Sequence, residues 1–319
     1  MPTTTPGQHR TLAELGEFGL VEALTARFPQ GEHVLLGPGD DAAVVAVPDG
    51  RVVVSTDLLV DTRHFRRDWA SATDIGHKAA AQNLSDINAM GGRATSLTVG
   101  LAAPPDLAVD WALELADGIA EEAALVGACV VGGDITRADE VMIAITVLGG
   151  VVGEPVRRSG ARPGDLVALA GRQGWAAAGL AVLGRGFRSP RVLVEAHRRP
   201  DPPYTAGPQA AAAGATAMVD VSDGLLADVA HVAAASGVAV DIRTSAFEIA
   251  EPLRAVGAAL GADPLRFILT GGDDHALVAT FPAGTALPEG WQAIGQVAEG
   301  SGVTVDGAAY EGPAGHEHF

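Results

Sequence analysis

Six short segments place an aspartate among residues small enough for a ligand to approach the backbone. They are Gly39-Asp40-Asp41, Ser55-Thr56-Asp57, Ser85-Asp86, Gly132-Gly133-Asp134, Asp220-Val221-Ser222-Asp223-Gly224 and Gly271-Gly272-Asp273-Asp274. Carboxylates and hydroxyls are hard oxygen donors, suited to Mg²⁺, Mn²⁺ or Ca²⁺. Any one such aspartate, taken alone, is an ordinary helix cap or turn residue. Six together point to a shared site, and a shared site needs cations, because two carboxylates ~4 Å apart at an effective dielectric of ~20 repel by about 4 kcal/mol. Mg²⁺ usually takes few carboxylates and fills its shell with substrate phosphates. The expected chemistry is therefore metal-assisted handling of a polyphosphate.

Other sites are disfavoured by what the chain lacks. Gly37-Pro38-Gly39-Asp40-Asp41-Ala42 satisfies G-x-G-x-x-A in form, but a proline inside it and carboxylates where pyrophosphate would sit argue against a dinucleotide fold. The only lysine, Lys78, stands in no G-x-x-x-x-G-K-[ST] motif, and neither G-x-S-x-G nor H-E-x-x-H occurs. Cys129 is the only cysteine, which removes disulfides and thiolate metal cages and leaves it as a small packing residue. Arg157 and Arg158 read equally as phosphate contacts or as a solvated turn. His64, beside Phe65, reads on spacing alone as a partly buried histidine more readily than as a ligand contact.

The elements that must position these residues follow from length and periodicity. The 319 residues suit two domains of roughly 150 each. The 39 acidic and 21 basic residues give a net charge of −18, which argues against nucleic acid or an anionic membrane as partner. The N-terminal ten residues lack an apolar secretion core, and the longest strongly apolar run, Val141 to Gly153, is too short and glycine-rich to span a bilayer. A soluble, cytoplasmic protein is expected. A helix is expected from Leu12 to Phe28 behind a Thr11/Glu14 capping box, then a hairpin of 42–47 and 51–56 about Pro48-Asp49-Gly50. Helices follow at 73–90, 107–125, 175–183, 205–213 and 225–236. Strands are expected at 95–101, 128–131, 141–148, 166–170, 238–242, 276–281 and 292–297. This alternation favours α/β or α+β layers, with a boundary in Gly149–Pro155 that divides the chain into 1–150 and 151–319.

In order and spacing, the motifs resemble those of the thiamine-monophosphate kinases, in the aminoimidazole-ribonucleotide-synthetase-like ATP-binding superfamily. The resemblance runs nearly end to end: Gly16-Glu17-Phe18, Gly39-Asp40-Asp41-Ala42, Ser55-Thr56-Asp57 with Val60 and His64-Phe65, Asn83-Leu84-Ser85-Asp86, Ala89-Met90-Gly91, Gly132-Gly133-Asp134 with Thr136, Arg158-Ser159-Gly160-Ala161 with Pro163-Gly164-Asp165, Ser222-Asp223-Gly224-Leu225, Gly271-Gly272-Asp273-Asp274, and Gly315 with His318-Phe319.

The resemblance implies an ATP-dependent kinase that makes thiamine diphosphate from thiamine monophosphate with several Mg²⁺ ions. It implies metal ligation at Asp41, Ser55, Thr56, Asp57, Asp86, Asp134, Asp220 and Asp223. ATP contacts would come from Gly133, Asp134, Arg158 and Ser222, and substrate contacts from His64 and Asp273. No general base is expected. The implied fold is an N-terminal α/β domain with a mixed sheet that pairs into a homodimer, and a C-terminal α/β domain that closes over the ATP cleft. Two departures stand out. The family usually has Glu where Asp273 stands, and the family's C-terminal aromatic substrate contact aligns with Pro313, with Tyr310 nearby. The alternatives are another ATP-using enzyme of the superfamily or a non-enzymatic, cation-binding acidic protein.

Overall fold

Apolar alternation and glycine contacts set the N-terminal architecture of the computed structural model, which describes residues 10–38, 43–47 and 50–316. The chain forms two units, Met1–Asn83 with Ala94–Gly149, and Leu84–Arg93 with Gly150–Phe319. The first contains α1 (Leu12–Leu15), α2 (Glu17–Thr25), β1 (Val34–Leu36), β2 (Val44–Val45), β3 (Val53–Val60), most of α3 (Ala72–Ala89), most of β4 (Gly92–Ala103), α4 (Val109–Leu125), β5 (Cys129–Arg137) and β6 (Met142–Val151). Its main sheet has the order β3-β6-β4-β5. β3 pairs antiparallel with β6 and β4 parallel with β5, so the sheet is mixed. On one face Leu59, Ile143, Ile145 and Val147 are fully buried. The apolar spacing of α4 buries Val109, Ala112, Leu115, Ala116, Ile119 and Ala123 along one stripe. Two glycines let α3 and α4 touch backbone to backbone: a Cβ on Gly76 would lie 2.2 Å from the Leu115 carbonyl, and one on Gly118 2.1 Å from that of Thr73.

Two sequence expectations need correction here. The Thr11/Glu14 capping box forms, but Gly16, at φ +76°, breaks the expected single helix into α1 and α2. The expected hairpin does not form: β2 pairs with β1 and β3 with β6. Pro48-Asp49 itself lies outside the described residues.

The second unit adds β7 (Leu166–Ala170), α5 (Trp175–Gly184), α6 (Arg191–Arg198), α7 (Ala206–Ala212), β8 (Ala217–Val221), α8 (Leu225–Ser236), β9 (Ala239–Ile242), α9 (Glu251–Leu260), α10 (Pro264–Thr270), β10 (Ala276–Phe281), β11 (Trp291–Ala298), β12 (Gly302–Val305) and β13 (Ala308–Ala309). The sheet order is β13-β12-β9-β11-β7-β10-β8. β10, buried at every position and apolar but for Thr280, lies between β7 and β8. α8 packs Leu225, Leu226, Val229, Val232 and Ala233 onto one side with Val219, Val221 and Val278. Phe281 and Trp291 meet edge to face on the other, their centroids 5.5 Å apart.

Candidate functional site

In the first unit the site residues lie on β3, on β5 and in the turn after β3. Strand periodicity puts Ser55 and Asp57 on one face and Thr56 on the other. The Thr56 hydroxyl donates to the Ile145 carbonyl at 3.2 Å and also contacts the Thr146 hydroxyl, so it is committed to the face away from Asp57. The Asp57 backbone is held by buried Asn83, whose Oδ1 accepts from the Asp57 N–H at 3.1 Å and whose Nδ2 donates to the Ala79 carbonyl at 2.9 Å. After β3 the chain turns sharply, with Thr62 at φ +67°. His64 Nδ1 accepts the Val60 N–H at 3.0 Å, which fixes the neutral tautomer with its proton on Nε2.

Gly133 and Asp134 are exposed on β5. A Cβ on Gly133 would stand 2.0 Å from the Val99 carbonyl, so β4 and β5 meet there only because the position is glycine. Beside them a mainly apolar cavity of about 680 Å³ is lined by Val21, Leu24, Phe28, Leu115, Ile119 and Val131, with Gly133 and Asp134 on its wall. β3 and β5 form opposite edges of the sheet, three strand spacings or ~14 Å apart. The unit therefore does not gather Asp57 and Asp134 by itself. Asp41 lies outside the described residues. Among those described, no group of three or more His, Cys, Asp or Glu is arranged around a common metal position.

The second unit ties its residues together more closely. Asp220, buried at the end of β8, accepts at Oδ2 from the Ser85 hydroxyl and lies 3.1 Å from His275 Nδ1. This places Ser85, and hence neighbouring Asp86, beside β8. Beyond the strand, Ser222-Asp223-Gly224 form the turn into α8. Asp228 Oδ2 accepts the Asp223 and Gly224 N–H groups at 3.0 and 3.1 Å. Burial pushes the Asp228 carboxyl up to about 7, against the lowering effect of those hydrogen bonds. Gly224, at φ +140°, supplies a conformation unavailable to other residues at low cost.

The 271–275 loop packs on this turn. The Asp273 N–H donates to the Ser222 carbonyl at 2.9 Å and the His275 N–H to Val221 at 3.1 Å. Asp273 and His275 both have positive φ, +69° and +53°; such strain in non-glycine residues concentrates at functional sites. Asp273 Oδ2 lies 3.9 Å from His197 Nδ1. The C-terminal segment reaches the same turn through a His316 N–H bond to the Asp223 carbonyl at 2.9 Å, and Pro313, exposed, precedes that contact. Arg158 is exposed on a loop fastened by Ser236. That hydroxyl accepts from the Gly160 and Ala161 N–H groups at 3.1 and 3.2 Å and donates to the Arg158 carbonyl at 3.1 Å.

The second unit thus joins Ser85-Asp86, Asp220, Ser222-Asp223, Asp273 and the approach to Pro313 by hydrogen bonds, while the first holds Ser55-Thr56-Asp57, His64 and Gly133-Asp134 at separate places. Sequence reasoning named the aspartates but not Asp228, His275 or Ser236 as their supports. Asp228 alone carried a local signal, in the Asp223-Gly224-Leu225-Leu226-Ala227-Asp228 run. The donors are carboxylates and hydroxyls, a set that fits Mg²⁺ completed by phosphate and water oxygens.

Residues 39–151 match the family model for the AIR synthase related protein, N-terminal domain, and 162–307 that for its C-terminal domain. The chain is 47% identical over 312 residues to the thiamine-monophosphate kinase of Mycobacterium tuberculosis (strain CDC 1551 / Oshkosh), covering 97% of this chain and 93% of that one. It is 41% identical over 297 residues to that of Corynebacterium glutamicum, covering 90% and 87%. The crystal structure of thiamine-monophosphate kinase from Stenotrophomonas maltophilia K279a superposes with a TM-score of 0.80 at 34% identity, covering 95% of this chain and 99% of that one. AaThiL complexed with AMPPCP and TMP superposes at 0.81 with 32% identity, covering 98% and 100%.

Proposed function

We infer that this chain, which belongs to the thiamine-monophosphate kinase family, transfers the γ-phosphoryl group of ATP to thiamine monophosphate, giving thiamine diphosphate. The observation that carries the reading is the ordered match to these kinases over 97% of the chain. AaThiL, a structural neighbour, is complexed with an ATP analogue and TMP. The acceptor is a phosphate oxygen already ionised near neutral pH, so no general base is required. What must be overcome is repulsion between two anions, a task of positioning and charge neutralisation.

Ser55, Asp57, Asp86, Asp134, Asp220 and Asp223 would hold Mg²⁺ by their side chains, Thr56 by its main chain, and Asp41 would join them. Bound Mg²⁺ neutralises phosphate charge and orients the triphosphate. Gly133 keeps β5 open to a close backbone approach, and the apolar cavity beside it suits the adenine ring. Arg158 and Ser222 would contact ATP phosphates. His64, with its Nε2 proton, would donate to the acceptor phosphate, and Asp273 would face the cationic thiazolium, with Pro313 on the segment that completes this side. Direct in-line transfer is the expected course. Incubation with ATP, Mg²⁺ and thiamine monophosphate should yield thiamine diphosphate with no labelled protein from γ-labelled ATP. Turnover only with another acceptor would select a sibling enzyme of the superfamily, absence of any turnover would select the acidic binding protein, and a chaseable protein adduct would overturn direct transfer.

A homodimer and a cytoplasmic location belong to the same reading; no helix among the described residues is long and apolar enough to cross a membrane. One face of the β3–β6 pair supports the dimer. Val54 and Leu58 are 59% and 49% exposed, and their cross-strand partners Leu148 and Ala144 on the same face are half-buried. Pairing of two such faces would remove this apolar strip from water. Light scattering should give twice the 32.2 kDa chain mass, and Leu58→Asp should return the protein to monomer. A wild-type monomer at micromolar concentration would refute the pairing.

A further inference from the structure

The loop that carries Asp273 is built around the residue after it. Asp274 is 5% exposed, and its Oδ1 accepts the Ala176 N–H at 2.9 Å in the first turn of α5, a helix whose own N-cap residue, Gly174, has no side chain to cap it. From the same end of α5, Gln173, also buried, donates through Nε2 to the Ile268 carbonyl at 3.2 Å and the Gly271 carbonyl at 2.6 Å. The first turn of α5 and the residue just before its N-cap therefore hold the loop at both ends, at Asp274 and at Gly271. Between the grips lie Gly272, where a Cβ would be 2.0 Å from the Ser222 carbonyl, and Asp273 in its left-handed conformation. A chain with two positive-φ residues in three positions does not hold that shape by local preference.

We propose that Asp274 is a positioning residue for the phosphoryl acceptor: by capping α5 it fixes the 271–275 loop so that Asp273 is presented to thiamine monophosphate. The proposal rests on the assignment of Asp273 to the acceptor made above. Asp274 acts through Asp273 and touches no substrate. Its role needs an acceptor at Oδ1 rather than a charge. Burial pushes its carboxyl up to about 7, and among the described residues its Oδ2 is buried without a hydrogen-bond partner. An asparagine, which keeps the acceptor and the shape, should therefore serve almost as well.

Steady-state kinetics on the full-length enzyme with Mg²⁺ test this. Asp274→Ala should raise the KM for thiamine monophosphate at least tenfold while the KM for ATP stays within twofold, and Asp274→Asn should restore the first to within threefold of wild type. Gln173→Met, which releases the other end of the loop, should also raise the acceptor KM selectively, by about fivefold or more, and it decides the matter if Asp274→Ala does not fold. The proposal is overturned if the acceptor KM of the folded Asp274→Ala enzyme stays within twofold, if both KM values and kcat deteriorate together, or if Asn is as impaired as Ala. It is equally overturned if Gln173→Met, standing in for an unfolded Asp274→Ala, leaves the acceptor KM unchanged. Asp273→Ala separates the two layers. A normal acceptor KM in that variant removes the assignment of Asp273 itself, whereas an impaired Asp273→Ala beside a normal Asp274→Ala removes only the present inference.

Discussion

Asp57→Asn and Asp86→Asn should each lower kcat by at least ~100-fold while the protein remains folded. A metal ligand that loses its charge weakens the clamp on a transferring phosphoryl group, an effect of several kcal/mol, and about 3 kcal/mol corresponds to roughly two orders of magnitude in rate. Fold survival follows from how these residues are held. The Asp57 backbone is anchored by Asn83 through the main-chain N–H, a bond that the side-chain change leaves intact. Asp86 is half-buried, and its replacement leaves the bond from the neighbouring Ser85 hydroxyl to Asp220 in place. Amide replacements of the same shape should move Tm by no more than a few degrees. The measurement is turnover at saturating ATP across a Mg²⁺ titration, with circular dichroism melts alongside. Wild-type kcat in either variant, at unchanged Mg²⁺ dependence, would remove that residue from the metal site.

What the sequence made legible was local. α8 begins and ends where its apolar spacing and its flanking Gly224 and Gly237 say it should, and β7 and β10 match the apolar runs 166–170 and 276–281 residue for residue. The misread segments were decided by partners far away in the chain. Pro48-Asp49-Gly50 is a good hairpin signal, yet β3 finds a longer, better-matched partner in β6, where Val53 to Val60 pair with Gly149 to Met142. β8 escaped notice because five buried residues that include Asp220 carry no alternation. α6 was missed because its buried Leu193, Val194 and His197 are scattered among arginines and a glutamate.

The site divides in the same way. Aspartates flanked by glycine and serine advertise themselves, because small neighbours and hard oxygens are a local property. Their supports do not: Ser85 reaches Asp220 across 135 positions, Asn83 reaches Asp57 across 26, and Asp274 reaches Ala176 across 98. The face on which Thr56 projects was a further structural fact, since the motif Ser-Thr-Asp does not say whether its three residues lie on a strand or in a turn.

Gly133 and Gly132 should give opposite results when each is changed to alanine. A Cβ at 132 has nothing within 4 Å, whereas one at 133 would lie 2.0 Å from the Val99 carbonyl and 3.2 Å from the Val99 nitrogen. The obstruction at 133 is main chain, in the paired register of Val99 with Gly133, so no side-chain rotation relieves it. β4 and β5 must separate locally, at a cost of about 1–3 kcal/mol or more, which for a protein of this size lowers Tm by several degrees. The same displacement moves Asp134 and the cavity wall beside it, so the KM for ATP should rise at least tenfold with a smaller change for thiamine monophosphate. Gly132→Ala should leave Tm within about two degrees and both KM values within twofold. Equal behaviour of the two variants would mean that the tight approach at Val99 has no part in holding the nucleotide. A Gly133→Ala enzyme that melts early but binds ATP normally would confine that approach to stability.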